Sequence, residues 1–204
     1  LDEKGFVGLD ANYPPIYLYW LYLVGNTLSA LHIPWDNGIL LKTLNQLPVI
    51  AANFCLLVMV YDILRRYRAS AAHFHLVMLL AAVNPALLFD GPLWGQVDAF
   101  PMAFVGVAFY LLLTRQYLYL VLPLYTLALL TKFQMICFAP VFGIVFFRNI
   151  KQNLIGVGVS IACVVIVLLP MAIGGDLLAL LHRSYVGTVG EFAYSTMYAP
   201  NLWM

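Results

Sequence analysis

The sequence predicts an all-α fold of the polytopic membrane kind, with about six transmembrane helices and one interfacial helix. Three observations predict it. Of 204 residues 64% are hydrophobic and 9% charged, whereas soluble domains are about 45–50% apolar and about 25% charged. The mean hydropathy of +0.92 spreads over runs too long for the alternating ten-residue strands of a barrel, and only helices satisfy their own backbone along such runs. The charges also segregate: Arg65, Arg66, Arg68, Arg115, Arg148 and Lys151 fall in one set of gaps between apolar runs, while Asp2, Glu3, Asp10, Asp36, Asp90, Asp98, Asp176 and Glu191 fall in the alternate gaps. A water-soluble globular protein is excluded, and a net charge of +1 provides no field for nucleic acid.

Cytoplasmic loops collect Lys and Arg, so the arginine gaps mark the inner side. If Arg65 is inside, the acidic segments on both sides of 14–31 are outside. This stretch therefore reads as an interfacial or re-entrant helix, with an ordinary span as the alternative. Pro14 and Pro15 suit its first turn, and Tyr17, Tyr19, Trp20, Tyr22 and Trp35 suit headgroup depth. Spans then run over 44–64, 73–89, 99–114, 117–131, 134–147 and 153–173. The fourth and fifth are short, since about 15 residues at 1.5 Å reach roughly 22 Å of a core about 30 Å thick. Their junction, Thr131-Lys132-Phe133-Gln134, should lie below the outer surface. The chain reads as a single membrane domain over 1–204, with outer loops at 1–43 and 174–204. Without a start methionine or a signal-peptide n-region, it is expected to be a fragment of a longer protein. Cys55, Cys137 and Cys163 stand singly in apolar runs and read as buried, inert thiols. His32, His73 and His75 lack metal-ligand spacing and read as boundary residues.

The densest polar cluster runs from Asn84-Pro85 through Asp90-Gly91-Pro92-Leu93-Trp94-Gly95-Gln96-Val97-Asp98. An aromatic face there would pack on a pyranose while Gln96 and Asp98 bond its hydroxyls; a plain turn with solvated carboxylates is the alternative. Lys132 is the second signal. An ammonium where two short spans meet costs roughly 2.5–3.5 kcal/mol unless it snorkels or finds an anion. Facing outward near headgroup depth, it suits a lipid-linked phosphate, with Gln134 as a neutral donor. His182, Arg183, Tyr185, Glu191, Asn201 and Trp203 after the last span, and Asp10, Asn12 and Tyr13 before the first, should face the same compartment.

The order of these motifs resembles a known family. Gly8-Leu9-Asp10-Ala11-Asn12-Tyr13-Pro14-Pro15-Ile16-Tyr17 is similar to the Gly-Leu-Asp-Tyr-Pro-Pro-Leu signature of the dolichyl- or polyprenyl-phosphate-glucose glucosyltransferases that extend lipid-linked oligosaccharides, with Ala11 and Asn12 as an insertion. The stretch to Asp98 resembles their Pro-x-Leu-Ile-Leu-Ile-Asp-x-Gly-His-Phe-Gln-Tyr-Asn, with Asp90, Trp94, Gln96 and Asp98 at the Asp, Phe, Gln and Asn positions. Thr131 to Met135 looks like Tyr-Lys-Gln-Met, and Ala199 to Trp203 like Ala-Asn-Ile-Trp. The departure at Leu93 to Asp98 resembles prokaryotic relatives more than eukaryotic ones.

The resemblance implies the GT-C fold and transfer of glucose or mannose, with inversion, from a polyprenyl-phosphate donor to a lipid-linked or cell-surface glycan acceptor. The reaction would occur on the outer face of a prokaryotic plasma membrane, or in the lumen of the endoplasmic reticulum. It implies that Lys132 neutralises the leaving phosphate, that Trp94, Gln96 and Asp98 position sugar or acceptor, and that Asp90 holds the loop. Tyr13 and Asn201 would lie at the rim, and the catalytic base would precede this sequence. No metal motif is present, although Asp90 with Asp98 offers ligands to a divalent cation. The alternatives from other classes are a transporter or lipid flippase, and a non-catalytic membrane scaffold.

Overall fold

The computed structural model describes residues 13–34, 38–148, 150–175 and 177–187, with only the backbone given for Asp90 and for residues 92–94. Among them the secondary structure is entirely helical: α1 (Pro15–Ala30), α2 (Gly38–Arg66), α3 (Ala71–Ala82), a π-wound segment (Ala86–Trp94), α4 (Ala99–Thr114), α5 (Val121–Thr131), α6 (Ala139–Arg148), α7 (Ile150–Ile173) and α8 (Leu177–Leu181). Gly38–Arg66, Ala71–Phe89 and Ile150–Ile173 are long and apolar enough to cross a membrane. Ala99–Thr114, Leu118–Thr131 and Phe133–Arg148 are apolar but shorter. The shortness expected near 131–134 is therefore found, and it extends to the helix over 99–114.

The helices alternate between an arginine end and an opposite end. α4 packs chiefly on α5 and α2, and α7 lies along α5. Small residues permit these approaches, as they do between helices in lipid, where packing takes the place of the hydrophobic effect. Ala108 and Ala128 are fully buried in the main core with Val105, Leu111, Val121, Tyr125, Met135 and Phe142. Tyr125 stacks on Phe142 with ring centroids 4.3 Å apart. A Cβ on Gly156 of α7 would come within 2.8 Å of the Tyr119 carbonyl ahead of α5. Asn153, buried at the start of α7, donates to the carbonyls of Val145 and Phe146 at 2.9 and 3.0 Å, which fixes α7 to the end of α6.

At the arginine end, the single carboxylate among the basic groups has a structural use. Asp62 pairs with Arg66 one turn on and accepts a 2.6 Å hydrogen bond from the Tyr110 hydroxyl of α4. Arg66 also donates to that hydroxyl at 3.2 Å. The three side chains clamp α2 to α4.

At the opposite end α1 lies across α2, α5 and α7, and its aromatic residues do more than mark headgroup depth. Pro48 inside α2 has no N–H to offer the Leu44 carbonyl, and the Trp20 indole donates to that carbonyl at 3.2 Å. Tyr19 donates to the Val167 carbonyl at 2.7 Å, one residue from the Ile166 carbonyl to which Pro170 inside α7 has no N–H to offer. Tyr17 is buried with Val49, Ala52, Val97, Ala99 and Ala103, and Leu18 with Met171 and Leu180. Tyr22 alone of the four described aromatics is exposed; Trp35 lies outside the described residues.

One expectation changes. Cys137 is exposed, and Cys55 and Cys163 are half-buried, so none of the three unpaired thiols is a core residue; a bundle this thin leaves most apolar side chains on its outer surface. The histidines do fall at boundaries: His32 follows α1, and the Nδ1 of His73 lies 2.7 Å from the hydroxyl of Ser70, the residue that caps α3.

Candidate functional site

The site lies at the end of the bundle opposite Arg66, Arg115 and Arg148, where the π-wound segment leads into α4 and where α5 ends. Asp98 occupies the N-cap of α4, where a carboxylate ordinarily accepts amides of the first turn. Here its backbone is already helical, and its side chain makes no capping bond. The carboxylate turns across to α5 and forms an ion pair with Lys132. Lys132 can reach it because the chain is extended there, with φ −154° and ψ 127°, between α5 and a 3-10 turn over Phe133–Phe138. The ammonium side of the pair is largely enclosed, with 14% of the Lys132 side chain exposed, whereas 43% of Asp98 is exposed.

Around this pair the end is stitched together by residues distant in sequence. Tyr185, in the segment after α8, donates to the Leu129 carbonyl at 3.1 Å, and its ring lies edge-on to Phe133 with centroids 5.6 Å apart. Burial pushes its phenol up to about 12. Ser184 donates to the Tyr13 carbonyl at 3.0 Å, and Tyr13 packs on Tyr17 with centroids 4.9 Å apart. Burial, then the nearby Tyr13, pushes the Tyr17 phenol up to about 12.

Of the residues chosen from the sequence, Asp98 and Lys132 are thus in contact, and Tyr13 lies at the same end. Gln96 is half-buried in the stretch between the π-wound segment and α4, and Gln134 is exposed in the 3-10 turn. Asp90 and Trp94 fall on the π-wound segment, their side chains outside the description, and Asn201 lies outside the described residues. The anion found beside Lys132 is a carboxylate of the chain itself, where the sequence suggested a phosphate. Among the described residues no group of three or more His, Cys, Asp or Glu is placed to hold a metal ion.

Sequence reasoning missed the floor of the site, which α2 provides. Gln46, Val49 and Asn53 recur at helical spacing on one face. Asn53 donates to the Leu87 carbonyl at 3.2 Å. A Cβ on Gly91 would meet Val49 Cγ1 at 2.4 Å and Gln46 Oε1 at 3.6 Å, and a Cβ on Gly95 would meet Gln46 Nε2 at 3.8 Å. Gln46 is 5% exposed, and neither its Oε1 nor Asn53 Oδ1 has a partner among the described residues. Gly95, at φ +91°, supplies a backbone conformation that L side chains rarely adopt. The signal available in the sequence was the run Lys42-Thr43-Leu44-Asn45-Gln46 inside an otherwise apolar helix.

Compared with models of known families, with curated proteins and with solved structures, the chain matches none.

Proposed function

We propose that this chain is an integral-membrane glycosyltransferase of the GT-C type, with six membrane passes, that moves a hexose from a polyprenyl-phosphate donor to a glycan or lipid-linked acceptor on the non-cytoplasmic side. The observation that carries the reading is the ion pair between Asp98 and Lys132, made by two residues picked for this chemistry from separate motifs.

The asymmetry of that pair suits a leaving phosphate. Asp98 is the more exposed member, so the singly charged phosphodiester of a donor arriving from the bilayer surface displaces it into water at small cost. Lys132 stays enclosed, where its attraction for an anion is least screened. As the bond between the anomeric carbon and phosphate oxygen breaks, negative charge grows on the phosphate, and a fixed ammonium stabilises that charge. Inversion requires a base on the opposite face of the sugar to take the acceptor proton; no residue named here is assigned that role. Gln96 and the π-wound segment over Gln46 supply hydroxyl-bonding groups for sugar or acceptor.

The test uses membranes holding the full-length protein, supplied with radiolabelled polyprenyl-phosphate glucose or mannose. Wild type should transfer label to an extractable lipid-linked or polymeric product. Lys132→Ala should lower the rate about 10²–10³-fold, as loss of one stabilising donor does elsewhere, and Gln96→Ala should lower it less. Equal transfer by all three folded proteins would remove these residues from the site. Absence of transfer of either sugar by folded wild type would refute the reading in favour of transport or scaffolding.

A further inference from the structure

A second polar site lies at the arginine end, away from Lys132. The C-terminal turn of α4, the 3-10 turn before α5 and the last two turns of α6 enclose a cavity of about 400 Å³ lined by Leu112, Arg115, Leu118, Val145 and Arg148. Its polar lining is two guanidinium groups from separate elements, and its other walls are aliphatic. Neither guanidinium forms an ion pair or hydrogen bond among the described residues. The cavity between α2 and α3 also holds two arginines, Arg65 and Arg68, and there Arg65 already donates to the Tyr61 hydroxyl at 3.3 Å.

Backbone conformation marks Arg115 as it marks Arg68, which stands at φ 50°. Arg115 closes α4 in the left-handed region at φ 54°, ψ 31°, and Tyr117 follows at φ 46°. Glycine is the usual residue at such a helix end, and a side chain there costs conformational energy. At this strained position the chain carries an arginine, whose planar fork suits phosphate oxygens.

We infer that Arg115 and Arg148 form a binding site for a phosphate group, with the aliphatic walls receiving the glycerol and first methylenes of an anionic phospholipid. Basic pockets between membrane helices bind such headgroups. Two arginines on different elements hold one phosphate from two directions, and so tie the end of α4 to the end of α6. The inference is independent of any activity at the other end of the bundle.

Native mass spectrometry of the full chain, released from nanodiscs of equal phosphatidylglycerol and phosphatidylcholine with matched acyl chains, tests it. Wild type should retain phosphatidylglycerol in preference. Loss of either guanidinium should weaken retention roughly fivefold, and loss of both about 25-fold, from the usual worth of one basic residue near an anionic surface. Arg115→Gly is the preferred variant because glycine accepts φ 54°, so the helix end is kept. Arg148→Ala completes the pair, and Arg65→Ala removes equal charge from the same end and should change nothing. A parallel titration with inorganic phosphate separates the sources: binding only of phosphatidylglycerol assigns the site to lipid, whereas phosphate binding that both arginines control assigns it to the free anion. Retention that is equal for the two lipids with no phosphate binding, or that falls as much in Arg65→Ala as in the double variant, overturns the inference.

Discussion

Replacing Asp98 should cost more stability than replacing Lys132, although the two share one interaction. The reason is the difference in their exposure, 43% for Asp98 and 14% for Lys132. Exposed ion pairs are worth about 0–1 kcal/mol, and removing one partner of a fully buried pair costs about 3–5 kcal/mol. Asp98→Asn leaves an enclosed ammonium without its counter-charge, and a value between those limits, about 2 kcal/mol, is expected. Lys132→Met keeps the buried stem and leaves a carboxylate already open to water, so its cost is about 0.5–1 kcal/mol. The double variant should resemble Lys132→Met, because the stranded charge is gone, which gives a coupling of about 2 kcal/mol in the cycle. Reversible unfolding by SDS in mixed micelles, followed by tryptophan fluorescence, measures all four proteins. An Asp98→Asn cost no greater than that of Lys132→Met, or costs that add to within about 0.5 kcal/mol, would refute the assignment of Lys132 as the enclosed, dependent member.

Three further outcomes are expected. Gly91→Ala places a Cβ 2.4 Å from Val49 Cγ1, an overpacking worth about 1–3 kcal/mol; Val49→Ala in the same protein should recover most of it, and the unfolding midpoint reports both. Gly156→Ala meets the Tyr119 carbonyl at 2.8 Å, whereas Gly106→Ala meets the mobile ends of Leu56 and Met59 at 2.8 and 3.1 Å, so Gly156→Ala should be the more destabilising in the same assay. Tyr17 and Tyr185 titrate at about 12 in the fold against about 10 in an unfolded chain. Between those values the unfolded state holds fewer protons, so stability is intact below pH 10 and falls as pH rises through the window. Tyr17→Phe and Tyr185→Phe should each flatten the loss between pH 10 and 12, and a wild-type midpoint unchanged across that range would contradict the burial of both phenols.

The fold was legible where the signal was one-dimensional. Apolar runs separated by charges of alternating sign gave the helices over 44–64, 99–114 and 153–173 close to where they occur. Lys132 and Asp98 were each conspicuous as charges at helix ends, so both could be selected. Their contact could not, because it depends on Asp98 leaving its capping role and on the extended backbone at Lys132. The packing role of the aromatics in α1 was hidden for a related reason: Trp20 answers to a carbonyl freed by Pro48, which lies 28 positions further along. Gln46 and Asn53 were hidden by their own helix. A carboxamide in an apolar run carries no charge to mark it, and its role appears only when the π-wound segment folds over it.

None of the residues of α3 is buried, and α2 is its chief helical neighbour. The apolar stretch Ala71–Phe89 has 19 residues, about 28 Å at 1.5 Å each, close to the thickness of a bilayer core. Its orientation is thus set mainly by lipid. In a thinner membrane it will tilt and in a thicker one straighten, while the packed group of α2, α4, α5 and α7 holds its arrangement. Because the same stretch ends in a segment that Asn53 and Val49 hold against α2, such tilting pivots about that end and leaves the loop over Gln46 in place.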